Sequence, residues 1–186
     1  LVRRGPRGIG AEAFDEMLDA LGSTLQVSVG HEHVRFQGAV LRRNLGSYLE
    51  LVGRTLAAPA LRAADLARLK RRSTAELAEL RDHDRALAAR AFRRELFGRH
   101  PYGRPVAGTL ESLRSIRHAD VRAHHRRLLG GEVLIGLAGA LTEPEARTLL
   151  ARAFDRFPSG ERAPREPRPT APRRRRGRRV VAVHKP

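Results

Sequence analysis

Leu96-Phe97-Gly98-Arg99-His100-Pro101-Tyr102-Gly103-Arg104-Pro105-Val106-Ala107-Gly108-Thr109 is the stretch around which the rest of the chain is organised. It holds three glycines and two prolines, and helical apolar periodicity stops at Phe97 and restarts only after Thr109. That combination predicts a structured loop that hinges two helical layers. Gly98 is placed to close the preceding helix in the left-handed conformation, and Thr109 to cap the next with its hydroxyl. His100, Pro101, Tyr102 and Gly103 form the loop's centre, with His100 expected to make a loop hydrogen bond.

Upstream of the loop, Asp84 to Phe97 reads as a helix carrying Leu87, Ala91 and Phe97. Before it a longer helix runs from about Arg62 to Arg81, its apolar side formed by Leu66, Leu69, Leu77 and Leu80. Asn44 is placed to cap a helix lined by Leu45, Leu49, Val52 and Leu56 and stopped by Pro59. Nearer the start, Phe14, Met17, Leu18 and Leu21 recur at i, i+3, i+4 and i+7, and Gly22 terminates that helix. Thr24 to Val29 alternates strictly, and Val34, Phe36 and Val40 resume the period of two, so two strands turn near Gly30 to Glu32. Downstream, short helices are expected at 110–116 and 119–129, and a strand over Val133–Ala138. Thr142 with Glu145 three residues later forms a capping box, with Pro144 in the first turn, for a helix burying Leu149, Leu150 and Phe154. Strand, strand, helices, strand, helix, without repeated βαβ alternation, points to α+β: an antiparallel sheet packed with helices.

The 186 residues carry 41% hydrophobic side chains, enough for a two-layer core, and no cysteine, which excludes disulfides and thiolate metal sites. No run approaches the roughly 18 apolar residues of a membrane-spanning helix, and the start does not read as a signal peptide. The formal net charge is +17. Residues 159–179 contribute nine arginines against Glu161 and Glu166, and the rest is spread over several helices among interleaved acids. With six Phe, two Tyr and no Trp there is no aromatic platform for stacking bases, so charge alone favours a solvated arginine-rich surface over nucleic-acid binding. Residues 158–179 hold five prolines and almost nothing apolar, and read as a linker. Val180 to Val183 reads as a short strand, and residues 180–186 as the first strand of a following domain.

Several stretches together resemble one family. Ala20-Leu21-Gly22, the hairpin ending near His31-Glu32-His33, Gly98 through Thr109, Thr109-Leu-Glu-Ser-Leu113, the Val133–Gly139 strand, Ala153-Phe154 through Pro158 and Val180-Val-Ala-Val-His-Lys-Pro186 are similar to the insulinase or pitrilysin family of zinc metallopeptidases, which includes the mitochondrial processing peptidases. The resemblance covers essentially the whole chain, with residues 1–157 as the peptidase lobe, incomplete at its start. It implies a fold of antiparallel sheet and helices, zinc as cofactor of the intact active protein, a peptide or protein substrate, and a second lobe or partner subunit of the same family.

The family's chemistry depends on His-x-x-Glu-His, in which two His one helical turn apart hold zinc and the Glu activates the bound water. That motif is absent here, and His31-Glu32-His33-Val34-Arg35 also fails the forward pattern at Arg35. By the resemblance, the motif's place lies immediately upstream of Leu1, so no catalytic residue is expected within the chain and this piece alone is expected to be inactive. The resemblance places the family's third ligand, a glutamate on the long helix, at Glu76, with Glu79 one turn on as a supporting acid. Read from spacing alone, the two are solvated glutamates pairing with arginines. Active members carry Asn-Ala where substrate backbone adds to a strand edge; Gln26-Val27 stands at that place, a change that the family's zinc-less partner subunits tolerate.

Two functions of the parent protein are therefore carried forward, the zinc endopeptidase and its non-catalytic partner. A basic module for nucleic acid or anionic membrane is the alternative from a different class. Bacterial family members are often exported or membrane-associated. Among the other histidines, His31 and His33 read as a polar hairpin end, and His124 and His125 as exposed positions on a helix.

Overall fold

A computed structural model of the chain describes residues 1–157, 177, 178 and 180–183. In order, the elements are α1 (Ala11–Ala20), β1 (Gln26–Val29), β2 (Val34–Gln37), α2 (Leu45–Ala57), α3 (Ala63–Glu79), α4 (Asp84–Phe97), α5 (Leu110–Ser115), α6 (His118–Leu129) and α7 (Glu143–Ala153). Single 3-10 turns lie at Val2–Arg4, Arg42–Asn44, Leu80–Asp82 and Pro101–Gly103. The α+β expectation holds, with a two-stranded antiparallel hairpin as the sheet among the described residues. The linker expected over 158–179 falls almost wholly outside the described residues, and 180–183 join no strand.

The chain forms two compact units. The first comprises Leu1–Ser28, Val34–Leu66 and Arg117–Arg165; the second comprises Val29–His33, Ala67–Ile116 and Glu166–Pro186.

In the first unit, α1, α2 and α7 enclose Phe14, Leu18, Leu25, Tyr48, Leu49, Leu51, Val52 and Ala153. Phe14 is 0% exposed, and burial of a side chain that size is worth about 2–3 kcal/mol. The stripes read from the sequence differ in detail: on α1 Met17 is 40% exposed, and on α2 Tyr48, Leu51 and Thr55 join Leu49 and Val52 inside. Tyr48 and Thr55 enter because their hydroxyls are satisfied, donating to Thr24 O at 2.9 Å and Leu51 O at 2.7 Å. Asn44 stands at the N-terminus of α2, but its side chain donates to Leu21 O at 2.9 Å rather than capping. The α7 box forms as read, Thr142 N–H and Oγ1 donating to Glu145 Oε2 at 2.8 and 3.0 Å. Those bonds, with Arg42 beside the carboxylate, hold Glu145 below the ordinary glutamate value.

Residues 4–9 lie along residues 58–62, which accounts for the backbone of two segments that are neither helix nor strand. Pro6 bridges Pro59, Arg7 N–H donates to Ala58 O at 2.8 Å, and Ala60 N–H donates to Gly5 O at 3.0 Å. The Arg62 guanidinium takes the carbonyls of Arg4 and Ile9. Two α6 histidines reach the same region, His118 to Leu61 O and His125 to Leu56 O, the latter at 2.8 Å. His125 is thus half-buried and bonded rather than free on the helix surface, whereas His124 is exposed and pairs with Arg127 at 3.1 Å.

The strand expected over Val133–Ala138 is not formed. Leu137 packs on the core, but Leu134 is 96% exposed and no described strand pairs with the segment. An apolar run states a preference for extended backbone, and a strand exists only where a neighbour completes its hydrogen bonds.

The second unit is built mainly on α3 beyond Leu66, α4 and α5. Leu77 is buried there, but Leu69 faces outward. Lys70 Nζ donates to Arg114 O at 2.8 Å and Ile116 O at 2.9 Å, satisfying carbonyls at the end of α5. Leu87 and Ala91 of α4 face, with Val181 and Val183, a cavity of about 550 Å³.

Candidate functional site

The 96–109 loop and the hairpin tip meet in the second unit. Gly98 ends α4 at φ +54° and ψ −118°, a positive-φ turn outside the left-handed helical basin that was expected, and its N–H donates to Arg94 O. Without a Cβ it adopts that turn at little cost. His100 Nδ1 accepts from Tyr102 N–H at 3.2 Å, the loop hydrogen bond read from the sequence. Pro101–Gly103 then forms one 3-10 turn, and Tyr102 within it reaches the hairpin tip. Thr109 caps α5, its Oγ1 accepting from Ser112 N–H at 3.1 Å.

Tyr102 is the hub. Its ring lies 5.2 Å from His31, 5.6 Å from Phe97 and 4.9 Å from His100, the last two edge to face, and its hydroxyl donates to Glu32 Oε1. The hydrogen bond to Glu32, then partial burial and the carboxylate's charge, push the Tyr102 phenol above its ordinary value. His31, Glu32 and His33 occupy the turn between β1 and β2, at the polar hairpin end read from the sequence. With Arg93, Phe97 and Tyr102 they line a cavity of about 310 Å³, at the small end of ligand pockets. The sequence marked both the turn and the loop, but nothing in it paired Glu32 with Tyr102, 70 positions apart.

Glu76 and Glu79 both lie exposed on α3. Glu76 Oε1 accepts from Arg72 Nε at 2.7 Å, the helix-surface pairing read from spacing. Zinc in an active site takes three protein ligands and keeps a position open. Among the described residues no group of three His, Cys, Asp or Glu side chains could hold a metal, so they do not fit a complete zinc site. Glu76 remains sterically able to give one carboxylate: side chains 78% and 54% exposed form an i,i+4 pair worth about 0.3–0.5 kcal/mol, which a metal ion displaces readily.

Gln26 and Val27 are exposed on β1. The ladder register follows from Thr24 N–H to Ala39 O at 3.0 Å and Gly30 N–H to His33 O at 2.9 Å. Residues 24, 26, 28 and 30 therefore bond inward to β2, and the backbone groups of Val27 face the outer edge.

Among described residues, no helix is long and apolar enough to cross a membrane. No family model matches the chain. Over 164 residues, 88% of the chain, it is 31% identical to proteins called uncharacterized zinc proteases of Mycobacterium bovis and Mycobacterium tuberculosis, of which it spans 36%. A Mycobacterium leprae protein of the same description is 30% identical over 141 residues, 75% of the chain and 32% of that protein. The chain thus spans about a third of the length of the curated relatives it matches. Its fold is similar to a peptidase M16 inactive domain from Pseudomonas fluorescens, with a TM-score of 0.82 and 22% identity over 92% of this chain and 42% of that one. It is also similar to pitrilysin, with a TM-score of 0.66 and 19% identity over 84% of this chain and 17% of that one. In sequence the chain is similar to proteins described as zinc proteases and in fold to peptidase M16 domains, which together support the insulinase-like family read from its loop and hairpin motifs, as part of a peptidase-family protein.

Proposed function

We propose that the parent protein is a zinc metalloendopeptidase and that this chain supplies part of one lobe. Glu76 contributes a carboxylate to the zinc, Glu79 supports it, and the outer edge of β1 at Gln26-Val27 receives substrate backbone as an added strand. The remaining ligands and the water-activating group come from elsewhere in the parent, so the described residues alone do not cut peptides. Residues 1–157 act as the lobe, 158–179 as the linker out of it and 180–186 as the opening strand of the next domain. The observation that carries this reading is the 31% identity, over 88% of the chain, to proteins described as zinc proteases.

A second reading, the non-catalytic partner of a two-subunit peptidase, is favoured by one observation. Gln26-Val27 stands where, by the resemblance, active members carry Asn-Ala. The test is the zinc content of the full natural polypeptide that carries this chain, beside its Glu76→Ala variant. One zinc per polypeptide, lost or greatly weakened in the variant, supports the peptidase. A polypeptide that folds and holds no zinc supports the partner subunit and ends the catalytic reading of Glu76.

A further inference from the structure

The hairpin-tip cavity carries two opposite charges that do not meet. Glu32 and Arg93 both line it, yet no ion pair joins them, and among the described residues the Arg93 side chain makes no hydrogen bond or ion pair. Glu32 Oε1 is committed to the Tyr102 hydroxyl, while Oε2 has no partner among the described residues. The rings of Phe97 and Tyr102, set edge to face, form the apolar part of the same lining. His31 and His33 complete the lining with ring nitrogens.

A guanidinium offers a two-pronged fork that fits a carboxylate, and a carboxylate oxygen accepts from an ammonium. A ligand carrying only one of these charges would bring its charge beside a like one, Arg93 for a cation or Glu32 for an anion. A ligand carrying both would neutralise each wall. The cavity's volume of about 310 Å³ admits one such molecule of single-residue size.

We propose that this cavity binds a zwitterion, a free α-amino acid with an apolar side chain. Its carboxylate lies on Arg93, its ammonium on Glu32 Oε2, and its side chain against Phe97 and Tyr102. The site shares no residue with Glu76, Glu79 or the β1 edge and does not rest on the peptidase reading, so the zinc measurement and this one fail separately.

The test is calorimetric titration of the full natural polypeptide with phenylalanine, N-acetylphenylalanine, which lacks the ammonium, and phenylalaninamide, which lacks the carboxylate. Phenylalanine is expected to bind in the millimolar range, and each derivative about tenfold more weakly or worse. Arg93→Gln and Glu32→Gln should each weaken phenylalanine by about tenfold, while Arg94→Gln, on the same helix but outside the cavity, should not. Circular dichroism of each variant separates lost binding from lost folding. Absence of phenylalanine binding to the folded polypeptide, equal binding of either derivative, or a folded Arg93→Gln protein with unchanged affinity overturns the proposal.

Discussion

Tyr102 gathers three rings and one carboxylate, and that environment is directly measurable because the chain has only one other tyrosine, Tyr48. Ionising Tyr102 would break its bond to Glu32 and set two negative charges side by side, so its phenol is raised; Tyr48 is raised by burial. Ultraviolet titration of the folded chain should therefore show neither tyrosine ionising at the ordinary value of about 10. Glu32→Gln should return Tyr102 toward that value and leave Tyr48 where it is. The linkage has a definite sign: a phenol raised in the folded state contributes stability that is fully present below its unfolded value and lost as pH rises through the folded one. A tyrosine in the unaltered chain that titrates at the ordinary value and is abolished by Tyr102→Phe would refute the Glu32 contact. The sequence made both partners visible as turn residues, through Gly30 on one side and Pro101 and Gly103 on the other. It could not show which turn meets which, because a contact between distant loops leaves no periodic trace. Glu76 is the opposite case: its helix face was legible from spacing, its pairing with Arg72 followed, and its role as a ligand came only from the family resemblance.

Helices were the legible elements because their signals are local. The Thr142–Glu145 and Thr109 caps formed where read, whereas Asn44 found a competing acceptor in Leu21 O, which no local rule reveals. The crossing of α2 and α7 is equally invisible in the sequence. It depends on Gly53, where an added Cβ would lie 2.0 Å from Ala153 O. Replacing glycine by alanine inside a helix ordinarily gains about 1 kcal/mol in propensity. Here the obstacle is backbone that cannot rotate aside, and overpacking of this kind costs about 1–3 kcal/mol. With an overlap this deep the cost should lie at the upper end and win. Gly53→Ala is expected to be net destabilising by about 1–2 kcal/mol, lowering Tm by roughly 2–8 °C. Gly46, on the same helix, provides the contrast: its added Cβ meets Leu149 Cδ2 at 3.5 Å, an ordinary contact. Gly46→Ala should hold or raise Tm. Thermal unfolding of the two variants decides whether the helix contact or the propensity governs, and equal Tm values for both would remove the close α2–α7 packing.

At the scale of the whole chain, burial is unevenly shared between the two units. Phe14, Leu18, Leu25, Tyr48, Leu49, Leu51, Val52, Leu61, Leu66 and Ala153 are the buried hydrophobic residues of the first, while the second has Leu77 among the described residues. In α4, Phe92 and Leu96 are 64% and 49% exposed, and no residue of that helix is buried. A short or medium helix in water is marginal by propensity alone, and tertiary burial supplies most of its stability. The α+β class could be read from the sequence because it depends on the order of elements. The imbalance between units could not, since an apolar residue at helical spacing announces a face without saying what covers it; Leu69 and Leu134 are exposed for that reason. Local stability follows from this distribution, because amides exchange through openings whose free energy reflects the apolar contacts that must be broken. In the 186-residue chain, native-state hydrogen exchange read by mass spectrometry should find α2 the most protected helix and α4 among the least, with separate openings for the two units. Gly53→Ala should speed exchange across α2 and α7 and leave α4 unchanged. Exchange of α4 as slow as that of α2, or acceleration of both by the one substitution, would mean that the chain opens as a single cooperative body.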